Sequence, residues 1–307
     1  MAAESAITTT TPVVKAAKKT GKGIVFLTSG LGGMAGWVVV HPANTIAVRM
    51  SLNPPNTKFS LSQMLQKSGG IIGLYDGLSA GILRQVFYAT SRLGLFETFR
   101  DILHDYRGKT DFSSRVGIGA ITGGMAAYKS CPMEVCVVRM SNDGTLPTDQ
   151  RKNYKSVFDV AGRIVKEEGV FAFWNGSSPF VVRAMMVGVF QVATLDQFKD
   201  IFTKNFGQRK DSLTNVFSSA MASGLVYSIA TMPLEACKNR MATQKIDPAT
   251  GKLPYTGIIQ TLQKVSATEG FMALYNGFLP YYIRCGGHTV AMFLFVQMFR
   301  DALLTNS

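Results

Sequence analysis

Six stretches of the chain stay apolar for roughly the length needed to cross a lipid bilayer. Ile24 to Val40 reads IVFLTSGLGGMAGWVVV without a charge, and Gly77 to Phe96 carries only Arg84 and Arg92. Comparable stretches follow at about 113–138, 176–195, 213–234 and 277–299. Each is close to the ~20 residues that span a hydrocarbon core as a helix. Most are interrupted by Gly, Pro or a basic residue, which is how helices read when they pack around something polar. The segments between paired stretches are polar with helical apolar spacing, as in NYKSVFDVAGRIVKEEG from Asn153 to Gly169. That spacing predicts a short amphipathic helix lying on the membrane surface.

The elements recur. HPANTIAVRM from His41, CPMEVCVVRM from Cys131 and MPLEACKNRM from Met232 each place Arg seven residues after Pro, followed by Met. A second element ends at Gly77 (GGIIGLYDG), Gly176 (EGVFAFWNG) and Gly277 (EGFMALYNG). Seven residues beyond those glycines stand Arg84, Arg183 and Arg284, and twenty beyond stand Glu97, Asp196 and Gln297. Small residues precede each Pro at a spacing of four, Ser29/Gly33, Gly119/Gly123 and Ala220/Gly224, which lets helix backbones approach closely. The chain thus divides into a disordered tail, 1–22, and three repeats, 23–108, 109–208 and 209–307. Each repeat reads as span, surface helix, span: an all-α membrane protein of six transmembrane helices.

Composition sharpens this picture. Of 307 residues 47% are hydrophobic and 17% charged, apolar for a soluble domain. The net charge of +13 is spread along the chain and not gathered into a stripe, which speaks for anionic lipid or an anionic solute and against nucleic acid. Cys131, Cys136, Cys237 and Cys285 lack metal-ligand or disulfide spacing and read as buried thiols. No nucleophile, metal cluster or phosphate loop has supporting context, so neither an enzyme nor a cofactor is expected.

The threefold Pro-x-acid-x-x-base-x-Arg signature, each copy followed by an EG-x4-aromatic-x-G element, resembles the mitochondrial carrier family over roughly residues 24–305. The resemblance implies a pseudo-threefold six-helix bundle around a central cavity in the mitochondrial inner membrane. It places the termini on the intermembrane-space side and the surface helices on the matrix side, and it implies alternating access by a protein working as a monomer, with membrane lipid, cardiolipin included, as a partner. Within the family, residues 77–97, 141–158 and 281–290 are most similar to carriers of 2-oxoglutarate and malate. The arginine-rich run of the nucleotide exchangers is absent.

Along the three even-numbered spans, from each Gly to Phe96, Leu195 and Phe299, Arg84, Arg92, Arg183 and Arg284 are the formally charged residues, with no acid among them. Guanidinium groups in a membrane face a partner or a watery cavity, so they point to an anionic visitor. Arg84, Tyr88 and Arg92 lie within about 80° on one helix face. By repeat symmetry Arg84, Arg183 and Arg284 sit at one depth, and planar guanidinium groups suit the paired carboxylates of a small dicarboxylate. Gln191 and His288 occupy positions equivalent to Arg92 and Tyr88 and can hydrogen-bond a keto or hydroxyl oxygen.

Carried over from the family, the signature acids and bases close the matrix side. Copy three is complete with Glu235 and Lys238. Copy two has Glu134 but Val137, and copy one has Asn44 and Ala47, so the surviving interrepeat link is Glu134 to Lys238. On the cytoplasmic side the links are Glu97 to Lys199, Asp196 to Arg300 and a Gln297 to Arg100 hydrogen bond. That imbalance predicts an empty carrier leaning toward the matrix-open state. His41 and Lys129 have no assigned place. The resulting expectation is antiport of small dicarboxylates, 2-oxoglutarate for malate. The alternatives are an uncoupling-type proton or fatty-acid conductor, and a dicarboxylate/phosphate exchanger.

Overall fold

The computed structural model describes Lys22 to Thr305 apart from residues 53–64, 67–69, 108–111, 145, 147–149, 208, 210–211 and 246–250, and apart from some side chains within helices, those of Glu97, Gln191 and Asp196 among them. The tail expected at 1–22, all but Lys22, and the surface helix expected in repeat one therefore lie outside the described residues. What is described is helical, without a strand. Six long helices, α1 (Lys22–Leu52), α2 (Leu78–Arg107), α3 (Phe112–Asp143), α5 (Ser177–Phe206), α6 (Leu213–Thr243) and α8 (Phe278–Thr305), alternate with two short ones, α4 (Val157–Glu168) and α7 (Ile258–Glu269). The long helices have 28 to 32 residues. At ~1.5 Å per residue each exceeds the ~30 Å hydrocarbon core even when tilted.

Their packing closes a ring. Within the repeats α1 packs on α2, α3 on α5 and α6 on α8; between them α2 packs on α3, α5 on α6 and α8 on α1. The Pro-bearing helices α1, α3 and α6 also touch one another, so the ring draws in along their length.

Apolar clusters join the helices of the ring, but many buried positions are polar and many exposed ones apolar, unlike a soluble domain. Thr28, Asn44, Thr122, Ser130, Asn215, Ser219, Ser223, Thr231 and Asn239 are buried, whereas Val39, Ile121, Phe217, Ile229, Leu279 and Leu294 are exposed. Among the described residues one stretch, Val170–Phe206, is by itself long and apolar enough to read as a membrane span. Helices α1, α3 and α6 bury Ser, Thr and Asn, and α2 and α8 bury Arg84, Gln85 and Arg284, which lowers their average hydropathy without exposing those groups to lipid.

Pro42, Pro132 and Pro233 sit inside α1, α3 and α6. Each removes one backbone donor and frees the carbonyl four residues earlier. In repeat three that carbonyl, Ile229 O, accepts from the Tyr275 hydroxyl at 3.3 Å. The surface helix α4 opens on Ser156, whose hydroxyl accepts from Asp159 N, and buries Val157, Val160 and Ile164 along one face; α7 does the same with Thr261 and Val265. The small residues before each Pro pack unevenly. A Cβ on Gly123 or Gly224 would meet Ala184 O at 3.4 Å or Gly286 Cα at 3.3 Å, but one on Gly33 would meet nothing within 4 Å. In repeat one the close approach falls to Gly32 and Gly36, which face Val296 and Met292 of α8.

Candidate functional site

The second long helices of the three repeats, α2, α5 and α8, are all launched by the same device. Gly77, Gly176 and Gly277 have φ of +83°, +83° and +85°, in the left-handed region that favours glycine. Each also seats against the Pro-bearing helix of the next repeat. A Cβ on Gly77 would lie 3.3 Å from Val137 O and 3.1 Å from Met140 Cβ; on Gly176, 3.0 Å from Lys238 O and 3.3 Å from Met241 Cβ; on Gly277, 3.0 Å from Ala47 O and 2.9 Å from Met50 Cβ. Two helical turns further on, each helix presents its arginine.

The three arginines meet a common set of partners. Arg84 Nε lies 3.3 Å from Glu134 Oε2, Arg183 Nε 3.1 Å from Glu235 Oε2, and Arg284 NH2 3.8 Å from Glu235 Oε1. Lys238 Nζ joins both acids, at 2.5 Å from Glu134 and 2.7 Å from Glu235. Four cations surround two carboxylates, leaving a surplus of two positive charges. Aromatic faces complete the cage: Arg84 Cζ stands 4.3 Å from the Trp37 ring and Arg284 Cζ 4.7 Å from that of Tyr281, contacts that favour desolvated cations. The Tyr281 hydroxyl also receives Arg183 at 3.4 Å and pairs with Thr231 at 2.9 Å.

This corrects the expectation of arginines unpartnered by the protein and open to a watery hollow. Arg84 and Arg284 are only 7% and 8% exposed, and native carboxylates touch all three. From Gly77, Gly176 and Gly277 to Phe96, Leu195 and Phe299, α2, α5 and α8 indeed carry no acid; the counter-charges come from α3 and α6, whose acids had been assigned to a separate gate. Site and gate are one network.

Arg92 Cζ lies 6.0 Å from the Tyr88 ring, as their shared face requires. Arg92 has no carboxylate within ion-pair distance among the described residues, so it keeps the part expected of all four arginines. His288 faces a protein partner: its Nε2 lies 2.8 Å from Gln85 Nε2, joining repeats one and three. Gln191 lies outside the described side chains. His41 is buried, with Nε2 3.1 Å from Asp76 O and its ring stacked on Tyr75 at 6.1 Å; Lys129 is exposed.

The matrix-side link between Glu134 and Lys238 is made, and the local pair Glu235–Lys238 coexists with it. Asn44, at the position equivalent to the two acids, is buried, and its Nδ2 has no hydrogen-bond partner. The form seen here therefore differs from the matrix-open state expected of the empty carrier. At the other end Glu97 and Asp196 lie outside the described side chains. Arg100 pairs with Asp101 at 2.9 Å, not with Gln297, whose Oε1 has no hydrogen-bond partner. Lys199 accepts through its backbone oxygen from Asn215 at 3.2 Å, and Arg300 Nε is buried without a hydrogen bond.

Sequence reasoning missed an outer set of clamps. The signature arginines reach acids near the second element: Arg49 to Asp76 at 3.1 Å, Arg139 to Glu168 and Arg240 to Glu269. Arg49 Nε also donates to Ser141 O at 2.7 Å and Arg139 Nε to Ala242 O at 3.0 Å, tying repeat one to repeat two and repeat two to repeat three. The threefold Glu-Gly was the available signal. Repeat one has Gly69 in place of the glutamate and supplies Asp76 where the others have Asn175 and Asn276. Burial raises the Asp76 carboxyl above its ordinary range in spite of the opposing pull of Arg49.

Comparison with known proteins agrees with this architecture. The family profile described as "Mitochondrial carrier protein" matches residues 21–107, 108–206 and 209–307. The human protein named mitochondrial 2-oxoglutarate/malate carrier protein is 37% identical over 289 residues, covering 92% of this chain and 91% of the relative. The one of that name from Caenorhabditis elegans is 35% identical over 285 residues, 91% and 92% of the two chains. A Dictyostelium discoideum protein named as a probable carrier of the same kind is 36% identical over 279 residues, 89% and 87%.

Proposed function

Because the chain belongs to the mitochondrial carrier family, and is thus a multi-pass transporter of the mitochondrial inner membrane and not an enzyme, we propose that it exchanges small dicarboxylates, 2-oxoglutarate for malate, by alternating access. The observation that carries this reading is the surplus of two positive charges in a buried cluster of three guanidinium groups and one ammonium around Glu134 and Glu235. A dianion matches that surplus, and bidentate carboxylate pairing suits the planar guanidinium. The names of the relatives point to the same two solutes.

The shared carboxylates also suggest how binding drives opening. Glu134 holds both Arg84 and Lys238, and Glu235 holds Arg183, Arg284 and Lys238. A substrate carboxylate that takes over a guanidinium removes one of the two cations of Glu134 or one of the three of Glu235, and so alters the network that holds Lys238. A ligand shifts such an equilibrium only by the difference of its affinities for the two states, and here the same groups make that difference. Arg92 and Tyr88, beyond the cluster on α2, attract the solute on its way in.

Liposomes containing the purified chain test the proposal. Uptake of labelled 2-oxoglutarate that depends on internal malate supports exchange. A proton current without internal substrate would point to the uncoupling-type alternative, and uptake that depends on internal phosphate to a dicarboxylate/phosphate exchanger.

A further inference from the structure

The pairs between cavity arginines and gate acids obey a cyclic rule. Arg84 of repeat one reaches Glu134 of repeat two, and Arg183 of repeat two reaches Glu235 of repeat three. Applied once more, the rule takes Arg284 of repeat three to position 44 of repeat one, where the chain has Asn44. The third seam is assembled like the other two: Gly277, seven residues before Arg284, seats over Ala47 O and Met50 as Gly77 and Gly176 seat over the equivalent pairs. The backbone is in place and the carboxylate is missing.

Both ends of the broken pair are unmet. Arg284 has one carboxylate contact among the described residues, Glu235 at 3.8 Å, and that acid is already held by Arg183 at 3.1 Å and Lys238 at 2.7 Å. Nε of all three arginines is buried without a hydrogen bond, but those of Arg84 and Arg183 lie 3.3 and 3.1 Å from a carboxylate oxygen, whereas Arg284 has, among the described residues, a hydrogen bond from NH2 to the Cys285 sulfur at 3.7 Å. Asn44 is 4% exposed, and its Nδ2 makes no hydrogen bond either. Buried donors without acceptors are costly, and these two stand at equivalent places of one seam.

We infer that Asn44 is a specificity-determining position: by withholding the third acid it reserves Arg284 for a carboxylate of the solute, with the Asn44 amide as a second donor. The solute then completes the ring of three arginine–carboxylate pairs that the protein leaves at two. The inference rests on the dicarboxylate reading above and adds to it which arginine is engaged first.

The test uses the full chain in malate-loaded liposomes, with labelled 2-oxoglutarate uptake measured against concentration, and melting in detergent with and without 2-oxoglutarate. Asn44→Asp supplies the missing acid. It is expected to raise KM about ten-fold or more by placing a competing negative charge at Arg284. It should also shrink the rise in melting temperature on adding 2-oxoglutarate at a fixed concentration. Asn44→Ala, which removes the amide donor but adds no charge, should raise KM by less than Asn44→Asp does. A folded Asn44→Asp protein with unchanged KM overturns the inference and leaves dicarboxylate exchange standing. If the unmodified chain neither takes up 2-oxoglutarate nor is stabilised by it, the underlying reading is what fails.

Discussion

The molecule contains two rings of arginine that differ in one respect. In the outer ring, the ion pairs among the described residues match Arg49, Arg139 and Arg240 one to one with Asp76, Glu168 and Glu269. In the inner ring, Arg84, Arg183 and Arg284 share Glu134 and Glu235 with Lys238, and two positive charges are left over. Both rings arise from the same threefold sequence unit, and both are largely buried. A balanced buried pair has its desolvation offset by its own partner and has nothing left to offer a ligand. An unbalanced one is held in place by packing and aromatic faces and gains from an anion that comes and goes. The outer ring is thus a set of straps, and the inner one a site.

The largest effect expected from this division is on the inner ring. Arg183→Ala should reduce 2-oxoglutarate uptake by about 100-fold or more, the scale expected when one guanidinium of a desolvated anion site is lost. It should lower the melting temperature by only a few degrees, since Glu235 keeps Lys238 and Arg284. A variant that retained transport but melted far lower would place Arg183 among the straps.

The outer ring should answer in the opposite sense. Arg139→Leu leaves Glu168 without its ion pair and Ala242 O without its donor. Because Glu168 is partly exposed, its stranded charge can rehydrate, and the loss of stability should be about 2 kcal/mol, below the usual toll for a fully buried pair. The 2-oxoglutarate KM of the surviving protein should stay within about two-fold. Melting in detergent and uptake kinetics on the same preparation read both, and a rise in KM that exceeded the loss of stability would merge the two rings.

How far the sequence disclosed these rings follows from what repeats. Pro42/Pro132/Pro233 with their arginines, and Gly77/Gly176/Gly277 with theirs, recur at fixed spacing, so the helices, the three units and the inner arginines could be read before any coordinates. Their partners could not, because pairing crosses between repeats and depends on which helix of the next unit faces which. Reading each even-numbered span alone gave arginines without acids; the ring packing of α2 on α3 and α5 on α6 supplies Glu134 and Glu235. Asp76 was hidden for a different reason. It replaces a glutamate seven residues earlier in the motif, a substitution that is compensating only in space. Trp37 and Gly81 form a third case: a Cβ at Gly81 would collide with the Trp37 indole, which supports Arg84, and neither residue has a counterpart in the other repeats to mark it.

Adjacent residues of α4 offer the finest test of the contrast. Glu168 holds Arg139 in the outer ring, whereas Glu167, one position earlier, pairs with Lys152 on the surface, where its side chain is 47% exposed. The Lys152 ammonium lowers the Glu167 carboxyl below its ordinary range through their hydrogen bond. A carboxylate depressed in the folded state stabilises the fold above its unfolded pKa, and that contribution is lost as pH falls through the folded value. Solvent screening keeps it small, so Glu167→Gln should cost no more than about 0.5 kcal/mol at neutral pH. The difference from the unmodified chain should disappear on acidification below the ordinary glutamate range. Glu168→Gln should cost more at neutral pH, because Arg139 is only 9% exposed and would lose its ionic partner where water cannot readily replace it. Equal losses from the two substitutions would mean that burial of the arginine, and not the carboxylate it holds, maintains the strap.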